Sequence, residues 1–215
     1  MSEVAEIEKT VEKKQREPLF SKKNKKLITD PLDDNNPVTI QVLGICSALA
    51  VTVQMEPSVV MCVSVLFVLV FANVLISLMR NLIPNRIRII VQLVVVAALV
   101  IIVDQVLKAY LYDVSKSLSV FVGLIITNCI IMGRLEAFAL ANKPWASALD
   151  AVGNAIGYAM VLVVVSFFKE FFGSGKLFGI EIFGESFYEM GYMNNGLMLF
   201  PPSSLILVAI YIWIQ

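Results

Sequence analysis

LIITNCIIMGRLEAF (124–138) sets one cysteine, Cys129, inside an uncharged apolar run, flanks it with Thr127 and Asn128, and closes the run with Gly133 and Arg134. A single cysteine so placed is commonly an inert small hydrophobe. A second stretch changes its meaning. VLGICSALAVT (42–52) also holds a cysteine, Cys46, among apolar and small residues close to the first polar boundary. The two cysteines occupy matching places in two halves of one apolar region, which is the trace an internal repeat leaves.

Composition sets the class. The chain has 215 residues, 58% hydrophobic and 16% charged, with a mean hydropathy of +0.81. A soluble domain carries nearer half and a quarter, so a polytopic, all-α membrane protein is expected. Lys plus Arg and Asp plus Glu are both 17. That balance gives no electrostatic footprint for nucleic acid. The chain contains no histidine, which removes His-ligated haem, the usual histidine zinc sites and Ser-His or Cys-His catalytic pairs. Three cysteines, Cys46, Cys62 and Cys129, are too few and too deep in apolar runs for a secreted disulfide framework.

Residues 1–36 read as a polar cytoplasmic tail, with eight basic residues interspersed among glutamates and no apolar core of a signal peptide. It is a solvated extension that anionic headgroups can also attract. Residues 37–215 read as the membrane domain, with six spans. Residues 37–55 form a weak, polar-sprinkled and broken first span. Residues 58–79 are the clearest by length, and 87–107 make the third. Residues 118–133, around Cys129, are the short fourth. Residues 151–168 are the fifth, where Gly153 and Gly157 make a small-residue face of the kind that lets helices approach closely. A glycine-rich connection with interfacial aromatics such as Tyr188 and Tyr192 leads to the sixth, 196–214, with Pro201 and Pro202 near its start.

These spans divide into two sets of three, about 37–110 and about 116–215, and the first of each is short or broken and carries the cysteine. An odd number of helices per repeat inverts one repeat relative to the other, and interrupted segments at corresponding places point to a functional centre near the midplane. With the amino terminus inside, thirteen basic residues fall on the cytoplasmic side and four, Lys108, Lys116, Lys169 and Lys176, on the other. That bias predicts a cytoplasmic N-terminus and an outward C-terminus.

At equivalent depths in inverted repeats, Cys46 and Cys129 can face one another across a pseudo-twofold axis. Two thiolates are half of the four that a [2Fe–2S] cluster needs, so a homologous second subunit would complete the set. A cluster with four thiolates is negatively charged, and backbone N–H groups at broken helices, beside Gly44 and Asn128, are expected to support it. Cys62 lies in an unbroken Val/Leu-rich helix and reads as a spacer. Of the acids in or beside the spans, Glu56, Asp104, Glu136 and Asp150, those that stand out as candidate functional residues are Asp104 and Asp150, because ionisable groups at membrane depth are costly. The alternative for each is an interfacial carboxylate paired with a cation such as Lys108. The chain has no Rossmann glycine fingerprint after a strand, and GSGK (173–176) lacks Walker spacing, so neither flavin nor NADH binding is expected.

DNNPVTIQVLGICSALAVT (34–52), ISLMRNLIPNRIRIIVQ (76–92), VDQVLKAYLYDVSKSLSVFVGLIITNCIIMGRLEAFA (103–139) and FFGSGKLFG (171–179) resemble the D-type subunit family of the sodium-translocating NADH:quinone oxidoreductases. The related E-type subunits of the Rnf complex are similar throughout, but DQVLKAYLYDVSK and Gly123 fit the quinone-reductase family better. The resemblance runs from about Asp34 to about Phe200. It implies a bacterial inner-membrane relay subunit without independent activity, paired with a homologous E-type subunit. It also implies a [2Fe–2S] cluster between the two, for which Cys46 and Cys129 would be this chain's iron ligands. Flavin-binding subunits would feed electrons across the membrane through that cluster, and quinone would receive them. The sodium ion would be the transported species, with Asp104 and Asp150 as the candidates for its access, and no role is implied for residues up to about Asp30. Inverted repeats with broken helices also describe secondary transporters without any cofactor, and composition does not separate the two classes.

Overall fold

The structure, a computed structural model, describes residues 27–32, 35–84, 86–110, 123–173, 176–177, 180–181, 196 and 200–214. A 3-10 turn, Asp30–Leu32, is followed by α1 (Ile45–Val51), α2 (Met55–Met79), α3 (Arg88–Tyr110) and α4 (Cys129–Arg134). A π-helical turn, Leu135–Ala139, continues α4; α5 (Pro144–Gly173), a two-residue antiparallel pair β1 (Lys176–Leu177) and β2 (Ile180–Glu181), and α6 (Pro201–Ile214) complete it. Among the described residues, α2, α3 and α5 are long and apolar enough to cross a membrane.

The helix starts follow from backbone chemistry. Pro144 opens α5 and Pro201 opens α6, where proline's missing N–H has no intrahelical acceptor to lose and its fixed φ already suits a helix. Gln54 precedes α2 in an extended conformation, φ −130 and ψ 150, and Pro57 falls in the first turn, where it is tolerated.

The core is an antiparallel pair of α2 and α5. Their register is fixed by polar contacts along its length: Met55 N donates to Glu170 Oε2 at 2.6 Å, Ser166 Oγ to Ser58 Oγ at 2.5 Å, and Ser77 Oγ to the Asn142 carbonyl at 2.6 Å. Between them Met61, Val65, Leu69 and Ile76 pack with Ala155, Tyr158, Leu162 and Val165, all buried. The outer faces are apolar as well. Ile90, Val94, Ile101 and Ile102 on α3 and Ile206 and Trp213 on α6 are exposed, while Asn73, Asn128, Asp150, Asn154 and Lys169 lie inside. Apolar outside and polar inside is the arrangement a hydrocarbon solvent selects, and the molecule is an all-helical membrane protein apart from the β1–β2 pair.

Several boundaries differ from the sequence reading. The fifth helix begins at Pro144, seven residues before the expected start at Ala151. Asp150 does not end it, because Arg134 Nε donates to Asp150 Oδ2 at 3.0 Å and the carboxylate is paired inside. The small-residue face of α5 receives no membrane span but the amino-terminal segment, helical at residues 27–29 and continued by the 3-10 turn Asp30–Leu32. A Cβ on Gly153 would stand 2.8 Å from the Leu27 carbonyl oxygen, and one on Gly157 2.5 Å from that of Pro31. What approaches is therefore the backbone of residues 27–31, anchored where Asn36 Nδ2 donates to the Gly157 carbonyl at 3.4 Å. The last helix is 14 residues long and starts at Pro201. The readings of residues 1–26, of 118–122 and of Tyr188 and Tyr192 lie outside the described residues.

Candidate functional site

The two short helices are built differently to the same end. Upstream of α1, Asn36 Oδ1 accepts from Val38 N at 3.0 Å, Leu43 N donates to the Pro37 carbonyl at 2.8 Å, and Val42 takes a φ of 57°. Gly44 then turns the chain at φ 83°, a left-handed conformation that glycine adopts without cost. A Cβ there would also lie 2.8 Å from the Tyr158 ring. Cys46 follows in the first turn of α1. On the other side, the helical turn Gly123–Ile126 breaks at Thr127 and Asn128, and Asn128 Oδ1 accepts from Ile130 N at 3.3 Å to start α4 at Cys129.

These two starts bring Cys46 Sγ to 3.1 Å from Cys129 Sγ, across 83 residues of chain. Both are free thiols, Cys46 exposed and Cys129 partly so. Behind them a buried polar cluster fixes the pair. Ser47 Oγ and Tyr158 Oη are 2.6 Å apart, Asn128 Nδ2 donates to Ser47 Oγ at 3.4 Å, and Ser47 Oγ also reaches the Gly44 carbonyl at 2.8 Å. Gly44 and Asn128 are thus part of the frame around the thiols. Sequence reasoning does not single out Ser47 and Tyr158. The available signals are a hydroxyl directly after Cys46 and a tyrosine at the middle of an apolar span, a ring whose buried hydroxyl needs a partner.

Beyond the thiols each short helix has its own anchor. At the end of α1, Thr52 Oγ1 lies 3.2 Å from Ser204 Oγ, which accepts from Lys169 Nζ at 2.8 Å. At the end of α4, the π-helical turn places Arg134 against Asp150 in a two-pronged pair and Glu136 against Arg88, with Gln92 Nε2 donating to Glu136 Oε2 at 3.2 Å. Asp104 is not near this centre. It pairs with Lys108 one turn along α3, at 2.6 Å. Cys62 is buried in α2, its sulfur 4.0 Å from the Ala159 carbonyl.

Two converging thiols can hold a soft metal. Thiolates on one tetrahedral metal at about 2.3 Å stand about 3.8 Å apart, close to the spacing found here. Among the described residues no group of three or more His, Cys, Asp or Glu converges, and the two thiols stand together at an exposed edge. The donor set fits half of a four-thiolate iron–sulfur site.

Comparison with known proteins agrees with the architecture. The family profile described as "Rnf-Nqr subunit, membrane protein" matches residues 24–212. The D subunit of the Na(+)-translocating NADH-quinone reductase of Photobacterium profundum is 55% identical over 193 residues, covering 90% of this chain and 92% of that protein. The chain therefore belongs to the Rnf-Nqr family of membrane subunits.

Proposed function

We propose that this chain is an electron-relay subunit of a sodium-translocating NADH:quinone reductase, holding one edge of an intramembrane [2Fe–2S] cluster through Cys46 and Cys129. The observation that carries the reading is the 3.1 Å approach of two thiols drawn from different halves of the chain. A family relative at 55% identity bears the name of a subunit of that translocase. When bound, the cluster supplies one-electron storage, and two further thiolates would come from a homologous E-type subunit facing the exposed Cys46. The chain's own residues hold the thiolates and keep them in register: Tyr158 and Asn128 bind Ser47 beside Cys46, and Asn128 fixes the turn that presents Cys129. NADH and flavin bind elsewhere in the complex.

In this reading the chain has six spans in two inverted repeats, α1 and α4 being the broken first members, and resides in a bacterial inner membrane. The thirteen-to-four basic bias supports a cytoplasmic N-terminus, and because six crossings are an even number the C-terminus returns to the cytoplasmic side in this reading rather than facing outward. Reporter fusions at Lys26 and Gln215 should lie on the same side, and opposite sides would overturn the six-span topology. Sodium access by way of Asp104 and Asp150 belongs to the same proposal. Asp150 lines a cavity of about 200 Å³ with Asp30, Gln41 and Arg134, and each acid would exchange its present cation, Arg134 or Lys108, for sodium.

Iron analysis of the subunit co-expressed with its neighbour tests the relay reading. Iron and acid-labile sulfide should co-purify with the pair of subunits. A complex that holds no iron and keeps full activity with both cysteines changed to serine would instead favour a cofactor-free transporter.

A further inference from the structure

Cys46 and Cys129 are close enough for a second chemistry. Their sulfurs, at 3.1 Å, must approach by about 1 Å to reach disulfide bonding distance, whereas binding one metal spreads them slightly. Resting on the reading of this pair as half of a cluster site, we infer that the cluster-free chain closes Cys46 and Cys129 into an intramolecular disulfide on meeting a small-molecule disulfide. That bond then bars iron until it is reduced.

The order of events follows from exposure. Cys46 is exposed and is reached first, Cys129 is partly exposed, and Cys62 is buried inside α2. The Cys46 thiolate attacks one sulfur of the reagent, RSSR; the Cys46–SR mixed disulfide forms and RS⁻ leaves. Cys129 then attacks the Cys46 sulfur, the Cys46–Cys129 bond forms, and the second RS⁻ leaves with the electron pair. One RSSR is reduced to two thiols, and the two cysteine thiols are oxidised. The second step is intramolecular between sulfurs already in contact, so the mixed disulfide should not accumulate. Both helix starts are held from behind by Ser47, Tyr158 and Asn128, which keeps the sulfurs facing one another when no metal joins them. Iron is barred because both thiolates are consumed, and no other ligand cluster exists among the described residues.

The test uses the full-length chain in detergent, in a Cys62→Ser background, with 4,4′-dithiodipyridine as the oxidant. The expected result is two thiopyridones released for each reagent consumed, and a chain two hydrogens lighter by intact mass with no pyridyl group attached. Cys129→Ser should instead stop after one release and retain a pyridyl group on Cys46. The oxidised chain, co-purified with its neighbour, should take up no iron until dithiothreitol is added. Two pyridyl groups on the unsubstituted pair, or no release from the folded chain, would overturn the inference. A chain that closes the bond but binds no iron even when reduced overturns the cluster reading, and with it the bar on loading, while the dithiol chemistry stands.

Discussion

The segments around Cys46 and Cys129 reach one geometry by opposite means. The first uses backbone conformation: Gly44 at φ 83° has no side-chain cap on α1, and the far end of α1 is tied through neutral hydroxyls to Ser204 and Lys169. The second uses side chains: Asn128 caps α4, and the π-helical turn after it is held by two ion pairs, Arg134 with Asp150 and Arg88 with Glu136. The two segments therefore differ in what they tolerate. The first fails when a side chain is added, the second when a charge is taken away.

The largest expected effect breaks the second segment. Arg134→Leu leaves Asp150, 3% exposed at its side chain, as an unpaired buried carboxylate, and should cost about 3–5 kcal/mol in the unfolding of the detergent-solubilised subunit. Adding Asp150→Leu should recover most of the loss. If the single variant unfolds like the parent, the ion pair does not anchor this segment.

Next, Gly44→Ala should cost about 2–4 kcal/mol, since it combines a left-handed backbone with a Cβ driven into the Tyr158 ring. Gly123→Ala provides the contrast, because nothing lies within 4 Å of its added Cβ, and its thermal midpoint should not fall. Equal losses at the two glycines would remove the distinction drawn here. A smaller effect is expected at the side-chain cap. Asn128→Ala should cost about 1 kcal/mol, as read by thermal unfolding.

The smallest effect on stability is expected at Asp104, outside both segments. Asp104→Asn removes a one-turn pair with a half-exposed lysine, which is worth under about 1 kcal/mol. If Asp104 serves sodium access, the sodium dependence of quinone reduction should weaken while iron content stays. An unchanged sodium response would leave Asp104 with only its partner Lys108.

The approach of Cys46 to Cys129 is legible in two similar uncharged runs, each interrupting a membrane region with small or polar residues. Their chemistry is not, since a cysteine in an apolar run is commonly inert, and Cys62 lies buried in just such a run. Prolines 144 and 201 mark helix starts, but Asp150 imitates a membrane interface and so hides the start at Pro144. The Arg134 contact, 16 residues away and made through a π-helical turn, together with Asn154 Nδ2 donating to Asp150 Oδ1 at 3.1 Å, shows why a carboxylate is tolerated there. The role of Gly153 and Gly157 is also hidden. A pair of small residues four apart announces a close approach but not the approaching group, which is the backbone of residues 27–31. Tyr158 joins both cysteine segments from a third helix, and periodicity within any one span carries no signal for that.

The central claim is that Cys46 and Cys129 are equal partners in one iron site, and single serine substitutions measure it most directly. Iron per complex and visible absorbance should both collapse in Cys46→Ser and, to the same extent, in Cys129→Ser. Cys62→Ser should keep both, since it changes only a packed sulfur in α2. Full iron retention in either of the first two variants, or equal loss in all three, would contradict the shared site.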